Sequence, residues 1–191
     1  QYENRWVKAQ VLNLNQQEIQ EVYSFLENNA KPENRDYQYD FFFDNCSTKI
    51  EEVLKAVLGD KIEFSNSHIK TTKTHRDLIS DYTENQQWGK FGIDLALGSV
   101  IDREATKDEY KFLPDYIFLA FENATISTNS KKVPLVKAEL VILKNIPNHK
   151  IASIFSPTPF LLLLLLSILF VWITYKNYKK GNRTKYLDFF L

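Results

Sequence analysis

The chain has 191 residues, with 24 Lys and Arg against 24 Asp and Glu, and a single cysteine. A formal net charge of zero argues against a nucleic-acid partner, because binding through phosphates needs basic residues concentrated on one face. One cysteine excludes an intramolecular disulfide and a zinc site made of several cysteines. The length is sufficient for one domain with its own core.

The first predicted element is a scaffold helix over residues 14–29. Asn15 is placed to cap its N-terminus, and Glu18 follows three residues later, which is the spacing of a capping box. Four apolar residues then recur at helical spacing and predict one buried face: Ile19, Val22, Phe25 and Leu26.

The next two elements flank the cysteine. Residues 37–43 are rich in aromatic side chains and contain no Gly or Pro, which predicts a buried core strand. After Cys46, apolar residues at three- and four-residue spacing predict a helix with one buried face, and Gly59 stands at the expected C-cap. These apolar residues are Ile50, Val53, Leu54, Val57 and Leu58.

Cys46 therefore lies at the predicted N-terminus of a helix, where the helix dipole favours a thiolate and backbone N–H groups can hold a developing oxyanion. The N–H groups of Asn45 and Ser47 are the candidate oxyanion donors. Asp40 and Asp44 would disfavour the thiolate unless they point away or orient a base. The alternative is a buried cysteine that acts only as a small hydrophobe.

Three histidines are candidate partners for the thiol, since a general base must come within hydrogen-bonding reach of it. His75 opens a predicted helix and is expected to have a packing or surface role. His68 lies in a polar loop, and His149 lies close to the predicted membrane segment, so neither is expected to act as the base.

The remaining soluble elements are predicted from local patterns. Residues 62–64 form a short extended segment, residues 88–97 a helix, and residues 133–143 a last strand that closes the sheet. Gly92 and Gly98 are expected to permit close packing, because no phosphate-binding spacing accompanies them. No cofactor or metal motif is present, so neither group is expected.

Residues 159–178 are predicted to be a transmembrane helix, preceded by a linker over 144–158. The segment that follows, 179–191, carries basic residues and ends in an apolar run that could begin a further span. Basic residues crowd the C-terminal flank, so the positive-inside rule places that flank in the cytoplasm and the preceding domain outside. These residues are Lys176, Lys179, Lys180, Arg183 and Lys185.

The segment from Tyr37 to Ile50 resembles the signature of the Lnb-type N-terminal periplasmic domain, a bacterial family that includes lipoprotein N-acyltransferases. Further blocks between Leu12 and Val136 resemble the family in the same order. The resemblance implies that Cys46 is the nucleophile of a papain-like site in permuted order. It also implies that the catalytic histidine belongs to a segment upstream of Gln1.

The expected fold is therefore an α+β, papain-like (permuted) domain over residues 1–143, incomplete at its N-terminus and followed by the transmembrane helix. By resemblance, the protein is an acyltransferase-like enzyme of the bacterial cytoplasmic membrane, with the lipid bilayer and diacylglyceryl lipoproteins as partners. Two alternatives stay open. One is an envelope cysteine peptidase or amidase, and the other is a binding module without catalysis.

Overall fold

A computed structural model of the chain describes residues 6–128, 131–144 and 158–181. The chain divides into two compact units. The first contains residues 1–78 and 101–147, and the second contains residues 79–100 and 148–191. Residues 79–100, which the sequence analysis placed in the extracytoplasmic domain, thus group with the C-terminal helix.

The core of the first unit forms where two helices pack against short strands. The helices are α2 (Cys46–Leu58) and α5 (Pro114–Glu122). Pro114 is the first residue of α5, a position where its missing N–H costs no hydrogen bond. The buried core residues come from both helices and from the strands beside them: Leu54, Leu58, Ile62, Ile117, Phe121, Ala124, Ile126 and Leu135.

Two small antiparallel sheets accompany these helices. β2 (Ile62–Glu63), β3 (Thr125–Thr128) and β4 (Lys131–Pro134) form one sheet in that order. β1 (Val7–Leu12) pairs with β5 (Val136–Leu143) in the other, with Ala9 opposite Leu140. The short strand predicted at 62–64 is therefore confirmed as β2.

The strand predicted at residues 133–143 is divided between the two sheets. Leu135 interrupts it, is fully buried, donates from its N–H to the Ala124 carbonyl at 2.9 Å and accepts from the Asn13 N–H at 2.7 Å. The prediction of one continuous closing strand is wrong, because burial of Leu135 turns the chain from one sheet to the other.

Helix α1 (Gln16–Asn29) begins as predicted, with Asn15 and Glu18 making both hydrogen bonds of a capping box. The predicted buried face is largely absent, since Ile19, Phe25 and Leu26 are exposed. Glu18 is the buried residue of this helix instead, and it pairs with Lys61 at 3.3 Å.

Residues 37–43 do not form the predicted core strand. Residues 41–43 are a turn, closed by backbone hydrogen bonds between Asp40 and Asp44 at 3.0 and 3.1 Å. The Asp40 carboxylate also accepts from the N–H groups of Phe42 and Phe43. The Asp40 side chain takes up backbone N–H groups that a strand would use for pairing. The aromatic composition of the segment does not reveal this competition.

Helix α3 (His75–Thr83) contains the boundary between the two units, and its Leu78 is fully buried. In the second unit, α4 (Gln87–Leu97) confirms the predicted helix, and α6 (Pro159–Lys180) packs against it. The prediction that Gly92 and Gly98 permit close packing is wrong, because a Cβ atom added at either residue would meet open space. Gly98 instead supplies the positive φ, +63°, that ends α4.

Helix α6 is the one helix of the described residues that is long and apolar enough to cross a membrane. Only 6% of its most apolar stretch is buried within the protein. The predicted linker lies outside the described residues except for Lys144 and Thr158, and Thr158 caps α6. The described residues thus form a mixed structure of six helices and two small sheets, with one apolar helix near the C-terminus.

Candidate functional site

Cys46 is the first residue of helix α2, and its thiol is free and exposed. Asn45 caps the helix: its side-chain oxygen accepts from the N–H groups of Ser47 at 2.8 Å and Thr48 at 3.1 Å. The alternative of a buried cysteine with a packing role is therefore wrong. The thiol lies at the start of a capped helix, as the sequence predicts.

Asn45 also fixes the chain on the other side of the cap. It is only 5% exposed, and its amide nitrogen donates to the carbonyls of Phe41 and Phe112, both at 2.9 Å. The Phe112 carbonyl belongs to a 3₁₀ turn, Glu109–Phe112, far along the sequence. One side chain therefore fastens the turn before Cys46, the first turn of α2 and this distant segment together.

The backbone N–H groups predicted to hold an oxyanion already donate within the cap. The N–H of Asn45 donates to the Thr48 hydroxyl at 2.9 Å, and the N–H of Ser47 donates to the Asn45 side chain. The cap does not take up the N–H of Cys46 itself. Among the described residues of this first turn, the amide left for a reacting group is therefore that of Cys46, next to the thiol.

The two acidic residues near the cysteine are each engaged elsewhere. Asp40 accepts from its own turn, and Asp44 pairs with Lys49 at 2.9 Å. Lys49 also pairs with Glu52 at 2.7 Å and lies 5.0 Å from the Tyr37 ring centroid. The hydrogen bonds that Lys49 donates to the Glu52 and Asp44 carboxylates raise its pKa, so it stays charged beside the cysteine.

Cys46 lines a cavity of about 250 Å³ between the end of α1, the loop after it and α2. Arg35 and Lys49 bring positive charge to its wall, and Glu52 brings negative charge. Its walls thus combine a nucleophile, charged groups and apolar surface, which is the usual composition of a small-molecule site. The other lining residues are Phe25, Asn29, Asn34, Tyr37 and Val53.

A second cavity, of about 360 Å³, lies at the next positions of α2. Ser47 and Ile50 line it from the helix, and most of the rest of its wall is apolar. Only Lys8, Gln10 and Ser47 bring polar side chains to it. The apolar lining residues are Leu12, Ile50, Pro114, Ile117, Phe118 and Phe121.

Neither described histidine lines the cavity around Cys46. His75 is 2% exposed and packs against the rings of Phe42 and Phe112, with centroids 4.7 and 5.8 Å away. This confirms its predicted packing role. Its Nε2 is buried without a hydrogen-bond partner among the described residues.

His68 is half-buried, with both ring nitrogens shielded from solvent, and burial lowers its pKa. His149 lies outside the described residues. The catalytic histidine expected upstream of Gln1 stays a prediction.

A buried ion cluster on the other side of α2 was missed by the sequence analysis. Lys111 is 3% exposed and pairs with Glu51 and Asp108, each at 2.9 Å, while Lys55 pairs with Glu51. Burial disfavours the charged ammonium, but the hydrogen bonds to Glu51 and Asp108 outweigh it and raise the pKa of Lys111. The spacing of Glu51 and Lys55 was a local signal, whereas nothing in the sequence marks Lys111 as their partner.

No group of three or more potential metal ligands is present within residues 6–128, 131–144 and 158–181. The arrangement presents an exposed thiol in a cavity with charged walls, and the next positions of the same helix line an apolar cavity.

The fold and this site define a mixed α/β protein with a thiol at a helix N-terminus and an apolar helix suited to a membrane. The model of the family described as the Lnb N-terminal periplasmic domain matches residues 1–81. This match supports the resemblance over that range and indicates an envelope-associated protein. No curated protein and no solved structure matches the chain.

Proposed function

We propose that the protein is a membrane-anchored acyltransferase of the cell envelope that uses Cys46 as its nucleophile. The observation that carries the proposal is the placement of the thiol. Cys46 is exposed at the first position of a capped helix and lines a cavity. A helix N-terminus favours the thiolate, which is the reactive form.

The reaction has two steps. The Cys46 thiolate attacks the carbonyl carbon of an acyl ester, a C–S bond forms, and the ester C–O bond breaks to release an alkoxide that takes up a proton. An amine then attacks the resulting thioester, an amide bond forms, and the thiolate leaves as the amine loses a proton. By family resemblance, the acyl donor is a diacylglyceryl lipoprotein and the acceptor is its N-terminal amine. The catalytic histidine of a papain-like site would move the protons.

The apolar cavity beside Ser47 and Ile50 favours acyl transfer over hydrolysis of a peptide. An acyl chain linked to Cys46 is apolar, and placing it against apolar side chains removes it from water. A lipid substrate also stays in the bilayer, so an enzyme anchored there is held close to it. Helix α6 is suited to that anchoring by its length and composition.

The test is to incubate the intact natural protein with a synthetic diacylated lipopeptide and to identify the products by mass spectrometry. The proposal predicts a lipopeptide with the acyl chain on its N-terminal amine, and no such product from Cys46→Ser. Release of free fatty acid alone would make the protein a hydrolase. An unchanged lipopeptide would contradict both activities and favour the binding module.

A further inference from the structure

Helix α4 exposes an apolar stripe to solvent, while both of its charged residues lie on its half-buried face. Trp88, Phe91 and Leu95 follow one another at three- and four-residue spacing and are 44%, 37% and 73% exposed. The opposite, half-buried face carries both charged residues of the helix, Lys90 and Asp94, together with Ile93 and Leu97. A surface helix in a soluble protein shows the reverse arrangement, with charges outward and the apolar stripe toward the core.

The apolar surface continues beyond the helix and has no buried residue within it. Val100, in the 3₁₀ turn Gly98–Asp102 that follows α4, is 74% exposed, and no residue of α4 is buried. Gly92 lies in the same stripe, and a Cβ there would meet open space, so no packed neighbour covers it. Exposed, contiguous apolar surface of this kind marks an interaction site.

The position of α4 within its compact unit indicates the partner. It packs against α6, the candidate membrane span, and the same unit contains both helices. The stripe includes a Trp and a Phe, and Trp in particular is enriched at membrane–water interfaces. Lys90 does not project from the stripe, since its ammonium donates to the Ser80 hydroxyl at 2.6 Å.

We infer that α4 is an interfacial helix that lies in the membrane surface, with Trp88, Phe91, Leu95 and Val100 inserted among lipid acyl chains. The partner is the bilayer itself rather than another protein. Amphipathic helices bind membranes in this way, with the apolar face buried about 5–10 Å into the boundary between headgroups and acyl chains. The contact is additional to α6 and does not depend on any activity of Cys46.

The test uses fluorescence of the full chain reconstituted into vesicles of phosphatidylcholine and phosphatidylglycerol. The sequence has three tryptophans, so the double variant Trp6→Phe, Trp172→Phe leaves Trp88 as the only one. The inference predicts at least a twofold loss of Trp88 emission when the acyl chains carry bromine near the headgroup. It also predicts little quenching by iodide in the water.

A second double variant, Trp6→Phe, Trp88→Phe, keeps only Trp172 in α6 and reports on the span. Quenching of Trp172 by brominated lipid without quenching of Trp88 would overturn the interfacial helix and leave the span intact. Absence of quenching at both positions would overturn the inference together with the span. Protection of Trp88 from iodide without quenching by lipid would show that a second protein surface covers the stripe, and would also overturn it.

A pair of substitutions at Leu95 tests the same surface. In the variant that keeps only Trp88, Leu95→Asp should reduce the quenching by brominated lipid, because a carboxylate is costly in the acyl region. Leu95→Ile keeps the apolar surface and should leave the quenching unchanged. Equal quenching in the two variants would contradict insertion of this face.

Discussion

Each of the two polar atoms of the Asn45 side chain makes two hydrogen bonds. Its oxygen accepts from two N–H groups of α2, and its nitrogen donates to two carbonyls. Because the residue is buried, loss of this side chain leaves the two carbonyls and two amides without these partners. Its neighbour Cys46 is held in place by the same contacts.

Asn45→Ala should therefore lower the free energy of unfolding by about 2 kcal/mol or more. It should also change the rate at which iodoacetamide alkylates Cys46. Thr48→Ala is the matched control, since it alters the same capping box but leaves all four Asn45 side-chain bonds in place. Denaturant unfolding and alkylation rates measure the two effects. Equal losses of stability in both variants would show that the Asn45 side chain does not anchor the site.

His75 packs with Phe42 and Phe112, its Nδ1 lies 3.4 Å from the Arg103 carbonyl oxygen, and its Nε2 is buried without a partner among the described residues. His75→Phe replaces the ring with an apolar one of similar shape, so it should preserve or increase stability. His75→Ala leaves a cavity and should lose on the order of 2 kcal/mol. Thermal unfolding of the two variants tests this expectation. A loss in His75→Phe as large as that in His75→Ala would mean that the contact between the imidazole and the Arg103 carbonyl stabilises the fold.

At the scale of elements, the 3₁₀ turn Glu109–Phe112 carries Phe112, the remote partner of Asn45, and an ion pair fixes its start. The Arg103 guanidinium donates to both oxygens of Glu109, at 3.0 and 2.8 Å, and the Thr106 N–H donates at 2.7 Å. The Arg103 hydrogen bond is the main cause that lowers the pKa of Glu109 to about 2.

This lowered pKa predicts a dependence of stability on pH. The folded state holds the Glu109 proton less tightly than the unfolded state, in which the pKa of this carboxyl is near 4.5. The stabilisation is therefore complete above about pH 4.5 and is lost as the pH falls toward 2. Glu109→Gln should show a shallower loss of unfolding free energy across that window. Parallel pH profiles for the two proteins would contradict a stabilising role of this ion pair.

The helices were predictable because their signals are local. Asn15 with Glu18 and Asn45 before Cys46 lie within a few residues of the helix ends that they determine. The turn at residues 41–43 was not predictable from composition, because the Asp40 side chain takes up backbone donors that a strand would use. The pairing of β1 with β5 and of Lys111 with Glu51 joins distant parts of the chain, for which one sequence carries no local signal.

At the scale of the whole molecule, the sequence contains a single cysteine, and the part of the chain that the structure describes contains one helix suited to cross a membrane. The basic residues in the last turns of α6 and in the segment that follows predict that Cys46 lies outside the cytoplasm. A membrane-impermeant maleimide should therefore label Cys46 in intact spheroplasts as fully as in lysed ones. The Cys46→Ala variant gives the background level of maleimide labelling. Labelling only after lysis would show that Cys46 lies in the cytoplasm and would contradict the predicted orientation.

The site depends on this whole arrangement, since residues 46–50 of one helix contribute to both the charged and the apolar cavity. Sequence alone located the thiol and the helix, but not the cavities, because residues from β1, α1 and α5 complete their walls. The nucleophilic role of Cys46 is the claim on which the proposed function rests.

The most direct measurement of that role is the mass of the proteolytic peptide that contains Cys46, after the intact protein has reacted with a diacylated lipopeptide. The account predicts an added acyl mass on this peptide that neutral hydroxylamine removes, as expected for a thioester. Acyl transfer to the lipopeptide amine with Cys46 unmodified, and undiminished transfer by Cys46→Ala, would contradict it.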